Sequence, residues 1–215
     1  MHIFVTGAGR GIGRDIASDA LARGWRVTGT VRHSGDAPDG VYELLADMRD
    51  LDSFATIAAR LGPLDVLINN AGMIGPERQS TLDMDFAGFA ETLAVNTLAP
   101  LAMAQAVLPH MRAGGCILTI SSQMAWMGYA KSDRIAYRAS KVAVNKVMQG
   151  LATDLRDRGI AVALIDPGWV RTDMGGPEAE EDPKRVAGGI LDIATRLDMT
   201  QTGQFLHWTG QERDF

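Results

Sequence analysis

A short apolar run from His2 to Thr6 passes directly into Thr6-Gly7-Ala8-Gly9-Arg10-Gly11-Ile12-Gly13, and a helical pattern of apolar residues follows from Ile12 to Arg23. That succession restricts the fold more than any other stretch of the chain. Glycines permit a tight turn and close approach of backbone to a ligand, and the following helix offers unpaired N–H groups and the positive end of its dipole. Strand, turn and helix together describe a phosphate cradle, with a merely structural turn as the alternative. No Lys-Ser or Lys-Thr pair closes the turn, which argues against a nucleoside-triphosphate P-loop.

The rest of the chain repeats the alternation. Runs expected as strands are His2 to Thr6, Arg26 to Val31, Tyr42 to Leu45, Asp65 to Ile68, Gly115 to Ile120, Ile160 to Ile165 and Gln204 to Leu206. Between them, apolar periodicity of helical length covers Ile12 to Arg23, Leu51 to Leu61, Met84 to Met111, Ala136 to Arg158 and Pro183 to Leu197. Short β-branched runs alternating with helices imply an α/β fold: a Rossmann-type, doubly wound, seven-stranded parallel sheet covered on both faces, a three-layer sandwich. The 215 residues suit one domain, 1–215, with no linker or repeat. Met174 to Asp182, rich in glycine and acid, is expected to be mobile and exposed.

Composition narrows the partners. A net charge of −5 argues against nucleic acid. No apolar run is read as a membrane span, and the early first strand leaves no room for a signal peptide, so a cytoplasmic protein is expected. The single cysteine, Cys116, excludes an intramolecular disulfide and a cysteine metal cluster, and is read as a small buried hydrophobe.

A second cluster carries chemistry. Tyr137 and Lys141 stand four residues apart and share a helix face, where the ammonium can lower the phenol's pKa from about 10 toward useful acid–base work. Such pairs also arise by chance on helical surfaces. Ser121 and Ser122 are adjacent on a strand end, so their side chains face opposite ways and only one can reach a ligand beside Tyr137. Tyr129 is a poor alternative acid, because Asp133 four residues on would raise its pKa.

Taken together, Thr6, Gly7, Gly11 and Gly13, Asn69-Asn70-Ala71-Gly72, Asn96, Ser121-Ser122, Tyr137 with Lys141, and Pro167-Gly168-Trp169-Val170-Arg171-Thr172 stand in an order that resembles the short-chain dehydrogenase/reductase family over essentially the whole chain. The resemblance implies an oxidoreductase moving a hydride between a nicotinamide and a carbonyl or alcohol carbon. It implies Tyr137 as general acid, Lys141 as its electrostatic partner and a ligand of the nicotinamide ribose, Ser122 as holder of the substrate oxygen, and Asn96 as anchor of a water beside Lys141. The plainer reading of Asn96 is a bond to nearby backbone. In the same way Gly7, Gly11, Ile12 and Gly13 would line the pyrophosphate, Arg10 would add positive charge toward a 2′-phosphate, Asp47 and Met48 would meet the adenine, Asn70, Ala71 and Gly72 the ribose, and Pro167, Gly168, Val170 and Thr172 the carboxamide end. A weaker similarity links the chain to the C-factor-like subgroup, some of it tied to intercellular signalling.

Cofactor choice is read at the end of the second strand, where NAD enzymes usually place an acid. Here stand Val31 and Arg32, with Arg10 opposite in the glycine turn, and the nearest acid, Asp36, lies beyond in a turn. Two guanidinium groups favour NADP(H) over NAD(H), unless both are merely solvated surface arginines. Met124, Trp126 and Met127 either line an apolar substrate pocket or pack without touching substrate. The expected substrate is a small carbonyl or alcohol compound, and no metal is called for. The apolar helices Thr97 to Met111 and Val142 to Ala152 are, by the family resemblance, the faces of a homodimer or homotetramer. The competing functional reading is a nucleotide-binding sensor, or C-factor-like signalling protein, with little turnover.

Overall fold

The structure is a computed structural model describing residues 1–215. Seven parallel strands, β1 (His2–Val5), β2 (Arg26–Val31), β3 (Tyr42–Leu45), β4 (Leu64–Asn69), β5 (Met111–Ile120), β6 (Ala161–Asp166) and β7 (Phe205–His207), form one sheet in the order β3-β2-β1-β4-β5-β6-β7. An eighth strand, β8 (Glu212–Arg213), pairs antiparallel to β7. The seven-stranded expectation is therefore corrected by one strand. Two exposed residues carry no alternating pattern, and only the turn after β7 brings them back to the edge.

The period of two along each strand sorts the core into two layers. Ile3, Val5, Val66, Ile68, Cys116 and Leu118 face α1 (Gly11–Ala22) and α6 (Pro183–Arg196), meeting Ile16, Ala20, Val186 and Ile190. Phe4, Leu67, Ile117, Val162 and Leu164 point the other way, toward α2 (Phe54–Ala58), α4 (Ala99–Val107) and α5 (Ile135–Asp154), where Phe54, Met103, Val144 and Met148 fill the space. Cys116 is buried, and desolvation pushes its thiol pKa up to about 12, consistent with its reading as a small hydrophobe.

The helix expected from Met84 to Met111 is not one regular helix. It consists of α3 (Phe86–Leu93), a wide π turn at Ala94–Leu98, then α4 and a 3₁₀ turn at Leu108–His110. Met111 already belongs to β5. The stretch from Thr92 to Pro109 has no charged residue, and residues 86–110 are long and apolar enough to cross a bilayer, contrary to the expectation that no run is. In this fold Ala99, Met103, Ala104 and Val107 are core residues of that stretch. Leu51 to Leu61 likewise resolves into a 3₁₀ turn and the short α2.

Met174 to Asp182 is tied down more than its composition suggests. Arg171 N donates to Glu181 O at 3.0 Å and Glu181 N to Trp169 O at 2.9 Å. The Arg171 guanidinium holds Ala179 O at 3.0 Å and Glu180 O at 2.8 Å. Ala179 is buried, while Met174, Pro177 and Glu178 remain exposed.

Candidate functional site

The glycine turn sits where β1 ends, between β2 and β4. Gly7 and Gly11 take φ of +72° and +54°, which side-chain-bearing residues rarely adopt. Gly7 N donates to Thr30 Oγ1 at 2.9 Å, fixing the turn to β2. On the other side Asn70 Nδ2 donates to Thr6 O at 2.9 Å and Gly7 O at 3.3 Å, while Asn70 N and Ala71 N both bond Thr6 Oγ1. Gly13 is needed for space: a Cβ there would meet Asn70 Nδ2 and Gly7 O at 2.3 Å. No side chain caps the start of α1, so its first N–H groups stay available for an anion.

From this turn a cleft of about 1090 Å³ runs along the carboxyl ends of the strands. Gly7, Arg10, Gly11, Ile12, Arg32, Asp47, Met48, Asn70, Ala71, Gly72, Pro167, Gly168, Val170 and Thr172 line it, together with Ser122, Tyr137 and Lys141. Gly13 is not in the wall itself but packs against Asn70 and Gly7, which are. Arg10 in the glycine turn lies 3.6 Å from Asp173 in the segment after β6, both well exposed. Asp47 is held by Arg49, whose guanidinium and backbone N–H bring its pKa down to about 2.

Asp36 lies beyond the second strand in a turn, as expected. It also belongs to the cleft wall, and a Cβ on Gly9 would sit 2.9 Å from Asp36 Cβ. The cause is local: the Glu43 carboxylate gathers the N–H groups of Gly35 and Ala37 at 2.9 and 2.8 Å, and Arg14 donates to Asp36 O. Those bonds curl the loop back over the glycine turn. The Asp36 carboxylate is 3.4 Å from His33 Nδ1.

At the other end, Tyr137 and Lys141 project from α5, both buried. Lys141 Nζ lies 5.6 Å from the Tyr137 ring centroid and donates to Ile120 O at 2.8 Å. Burial lowers its pKa to about 8. The expected lowering of the Tyr137 pKa by this lysine is not found. Burial raises the phenol above its ordinary value; the Ser122 hydroxyl pulls it back, the Asp166 charge adds to the rise and the Arg134 charge opposes it. Desolvation of a phenolate outweighs the nearby cations, so the phenol is kept protonated.

Ser122 starts the turn after β5 and accepts from Met124 N at 3.1 Å, while Ser121 turns away and donates to Asn145 Oδ1 at 2.5 Å. The strand alternation thus separates the two serines as expected. Asn96 lies in the π turn, behind the cleft. Its Oδ1 accepts from Met73 N at 2.9 Å, and its Nδ2 donates to Met73 O at 2.8 Å and Ser140 Oγ at 3.0 Å. Asn96 therefore clamps the segment after Gly72, 23 residues away in sequence, rather than bonding the backbone of its own helix. Trp126 is not in the cleft wall: its ring folds toward Gly128, whose Cβ would meet it at 2.6 Å, and it is half-exposed. Met124 does line the cleft and Met127 is exposed outside it.

Sequence reasoning passed over Gln79. Arg134 begins α5 with φ 51° and no capping bond from its side chain. Gln79 supplies one from a distance: Oε1 accepts Tyr137 N at 3.2 Å, and Nε2 donates to Ile74 O and Pro76 O at 3.1 and 2.7 Å. A glutamine in a polar loop gives no local signal of such a bond. Met73 and Ile74, which also line the cleft, gave none either.

A family model described as short chain dehydrogenase matches residues 1–183. The C-signal protein of Myxococcus xanthus is 39% identical over 155 residues, covering 70% of this chain and 92% of that protein. The carbonyl reductase Sniffer of D. melanogaster superposes with a TM-score of 0.91 at 27% identity, covering 100% of this chain and 99% of that one. NADPH-bound carbonyl reductase from chicken fatty liver gives a TM-score of 0.87 at 27% identity, over 100% and 98%.

Proposed function

The chain belongs to the short chain dehydrogenase family, and from that membership we propose that it is an NADP(H)-dependent reductase of ketones or aldehydes. The observation that carries this reading is the convergence of Tyr137 and Ser122 at one end of a cleft whose other end is the glycine cradle.

The donor set fits a dinucleotide: uncapped N–H groups on α1 for a pyrophosphate, glycines where a side chain would intrude, and a guanidinium for a 2′-phosphate. When bound, the nicotinamide supplies or accepts the hydride. Ser122 would hold the substrate oxygen by its hydroxyl and stabilise charge developing there. Tyr137, kept protonated by burial, would give its proton to that oxygen in reduction. Lys141, with a pKa of about 8, can exchange a proton near neutrality and could refill the phenol. Asn96 would hold Met73, and so the wall beside Lys141, in place. Arg32 and Arg10 favour the 2′-phosphate, against the nearby carboxylate of Asp36. Self-association as a homodimer or homotetramer through α4 and α5 belongs to the same reading, and light scattering tests it.

The deciding experiment assays purified protein on a panel of ketones, aldehydes and alcohols with both cofactors, beside Tyr137→Phe. Turnover with NADPH, lowered in the variant by about 100- to 10,000-fold with cofactor affinity retained, supports the reductase. The relation to C-signal favours a second reading, a nucleotide-dependent signalling protein. Tight NADPH binding with no turnover, indifferent to Tyr137→Phe, would support that one.

A further inference from the structure

Asp166 ends β6, the one charged residue in a strand that is otherwise Ala161, Val162, Ala163, Leu164 and Ile165, and its side chain is wholly buried. A buried carboxylate is costly unless its oxygens are partnered. Oδ1 is: it accepts Gln123 N and Gly168 N, each at 3.0 Å. Gln123 directly follows Ser122, and Gly168 lies in the turn after β6. Oδ2 has no hydrogen bond of good geometry, and its cationic neighbour is Arg213 Nη2 at 3.2 Å, reaching in from β8. A single carboxylate thus joins the turn presenting Ser122, the turn presenting Gly168 and the carboxyl-terminal strand.

We propose that Asp166, anchored by Arg213, is a positioning residue that sets the Ser122 turn against the Gly168 turn and makes β8 part of the site's scaffold. This rests on the reading of Ser122 and Tyr137 as the groups that meet substrate. Packing alone does not require a carboxylate here, since the other β6 residues are apolar. Two convergent backbone donors from separate turns do require an acceptor between them. The charge also has an electrostatic consequence. Tyr137 is faced by Lys141 and Arg134 from its own helix and its start, and by Asp166 from β6, while Asp166 is faced by Arg213 from β8 and His207 from β7. Asp166 opposes the two cations and helps hold the phenol protonated.

The test compares Asp166→Ala and Asp166→Asn in the full chain by steady-state kinetics and by ultraviolet titration of the phenol, with Tyr137→Phe as blank. Asp166→Ala, which loses the acceptor, should lower kcat by about 10- to 100-fold with a smaller change in KM, the scale of a reacting group displaced by an ångström. Asp166→Asn keeps an acceptor oxygen and should recover kcat to within a few-fold, while the Tyr137 titration moves to lower pH because the negative charge is gone. Should the alanine variant not fold, Arg213→Gln on the rim replaces it, with kcat again expected to fall and the titration to move to higher pH, because the Asp166 charge is no longer neutralised. Wild-type kcat in the folded Ala variant, or in the Gln variant where that replaces it, an Asn variant no better than Ala, or a phenol titration unmoved by Asp166→Asn would each overturn the proposal. A wild type without any turnover would instead sink the reductase reading, and the titration then decides the role of Asp166 by itself.

Discussion

The Gln79 side chain accepts the backbone N–H of Tyr137 at 3.2 Å across 58 residues of sequence, and Gln79 O accepts Ile135 N at 2.9 Å. The start of α5 is thus capped from outside the helix. Gln79→Ala should cost about 1–2 kcal/mol, the usual scale for losing a cap or a buried hydrogen bond, measured by urea unfolding. Because the freed N–H is that of Tyr137 itself, kcat should fall more than KM rises.

Two glycines in helices make opposite predictions. Gly13→Ala puts a methyl group 2.3 Å from Asn70 Nδ2 and Gly7 O, so the turn must open. A loss of about 1–3 kcal/mol in stability is expected, with weakened dinucleotide binding by calorimetry. Gly150 stands in α5 with nothing within 4 Å of its missing Cβ. Gly150→Ala should raise stability by about 0.5–1 kcal/mol.

Arg32 and Asp36 face the same end of the cleft with opposite charges. Arg32→Ala should raise the Kd for NADPH by about 10- to 100-fold, the worth of a charge-assisted hydrogen bond, and leave NADH nearly unchanged. Asp36→Ala should tighten NADPH. Titration of both cofactors at two salt concentrations checks both, since the NADPH term should weaken with salt.

Lys141 gives a pH signature. Its folded pKa is about 8, below the unfolded value near ~10.4, so the unfolded chain holds the proton more firmly. Below pH 8 both states are protonated and the burial penalty is complete. Between about pH 8 and pH 10.4 the unfolded state binds more protons, and stability should rise with pH by at most about 3 kcal/mol from this group. Lys141→Met should abolish that rise in unfolding curves taken across the range.

What could be read in advance follows from how local each cause is. The Gly7 to Gly13 turn was legible because backbone conformation and space demand glycine there. The parallel strands were legible because burial on both faces demands unbroken apolar runs such as Val162 to Ile165. The π turn was not, because no residue pattern marks one misaligned hydrogen bond inside an apolar helix. The pairing of Tyr137 with Lys141 was read correctly as a spacing and wrongly as an electrostatic effect. Spacing is set by the helix, but the phenol's pKa depends on how much protein surrounds it, and Lys141 commits its amine to Ile120 O. That Asp36 reaches the cleft wall was not legible for a similar reason: the curl of its loop depends on Glu43, seven residues on and in another element.

The wide turn at Ala94–Leu98 also governs how this chain can change length. α3 contacts α5, while α4 contacts α2 and β4 and, less, α5. The wide turn holds one residue more than an α turn, and so keeps the two halves in phase. Removing one residue there would let the helix close regularly with both halves in place. Asn96, inside the turn, would then lose its hold on Met73, while Met103 and Val107 would stay in the core. Surface loops can tolerate insertions and deletions without touching a site, whereas here a single codon lost would spare the fold and undo the clamp beside the cleft.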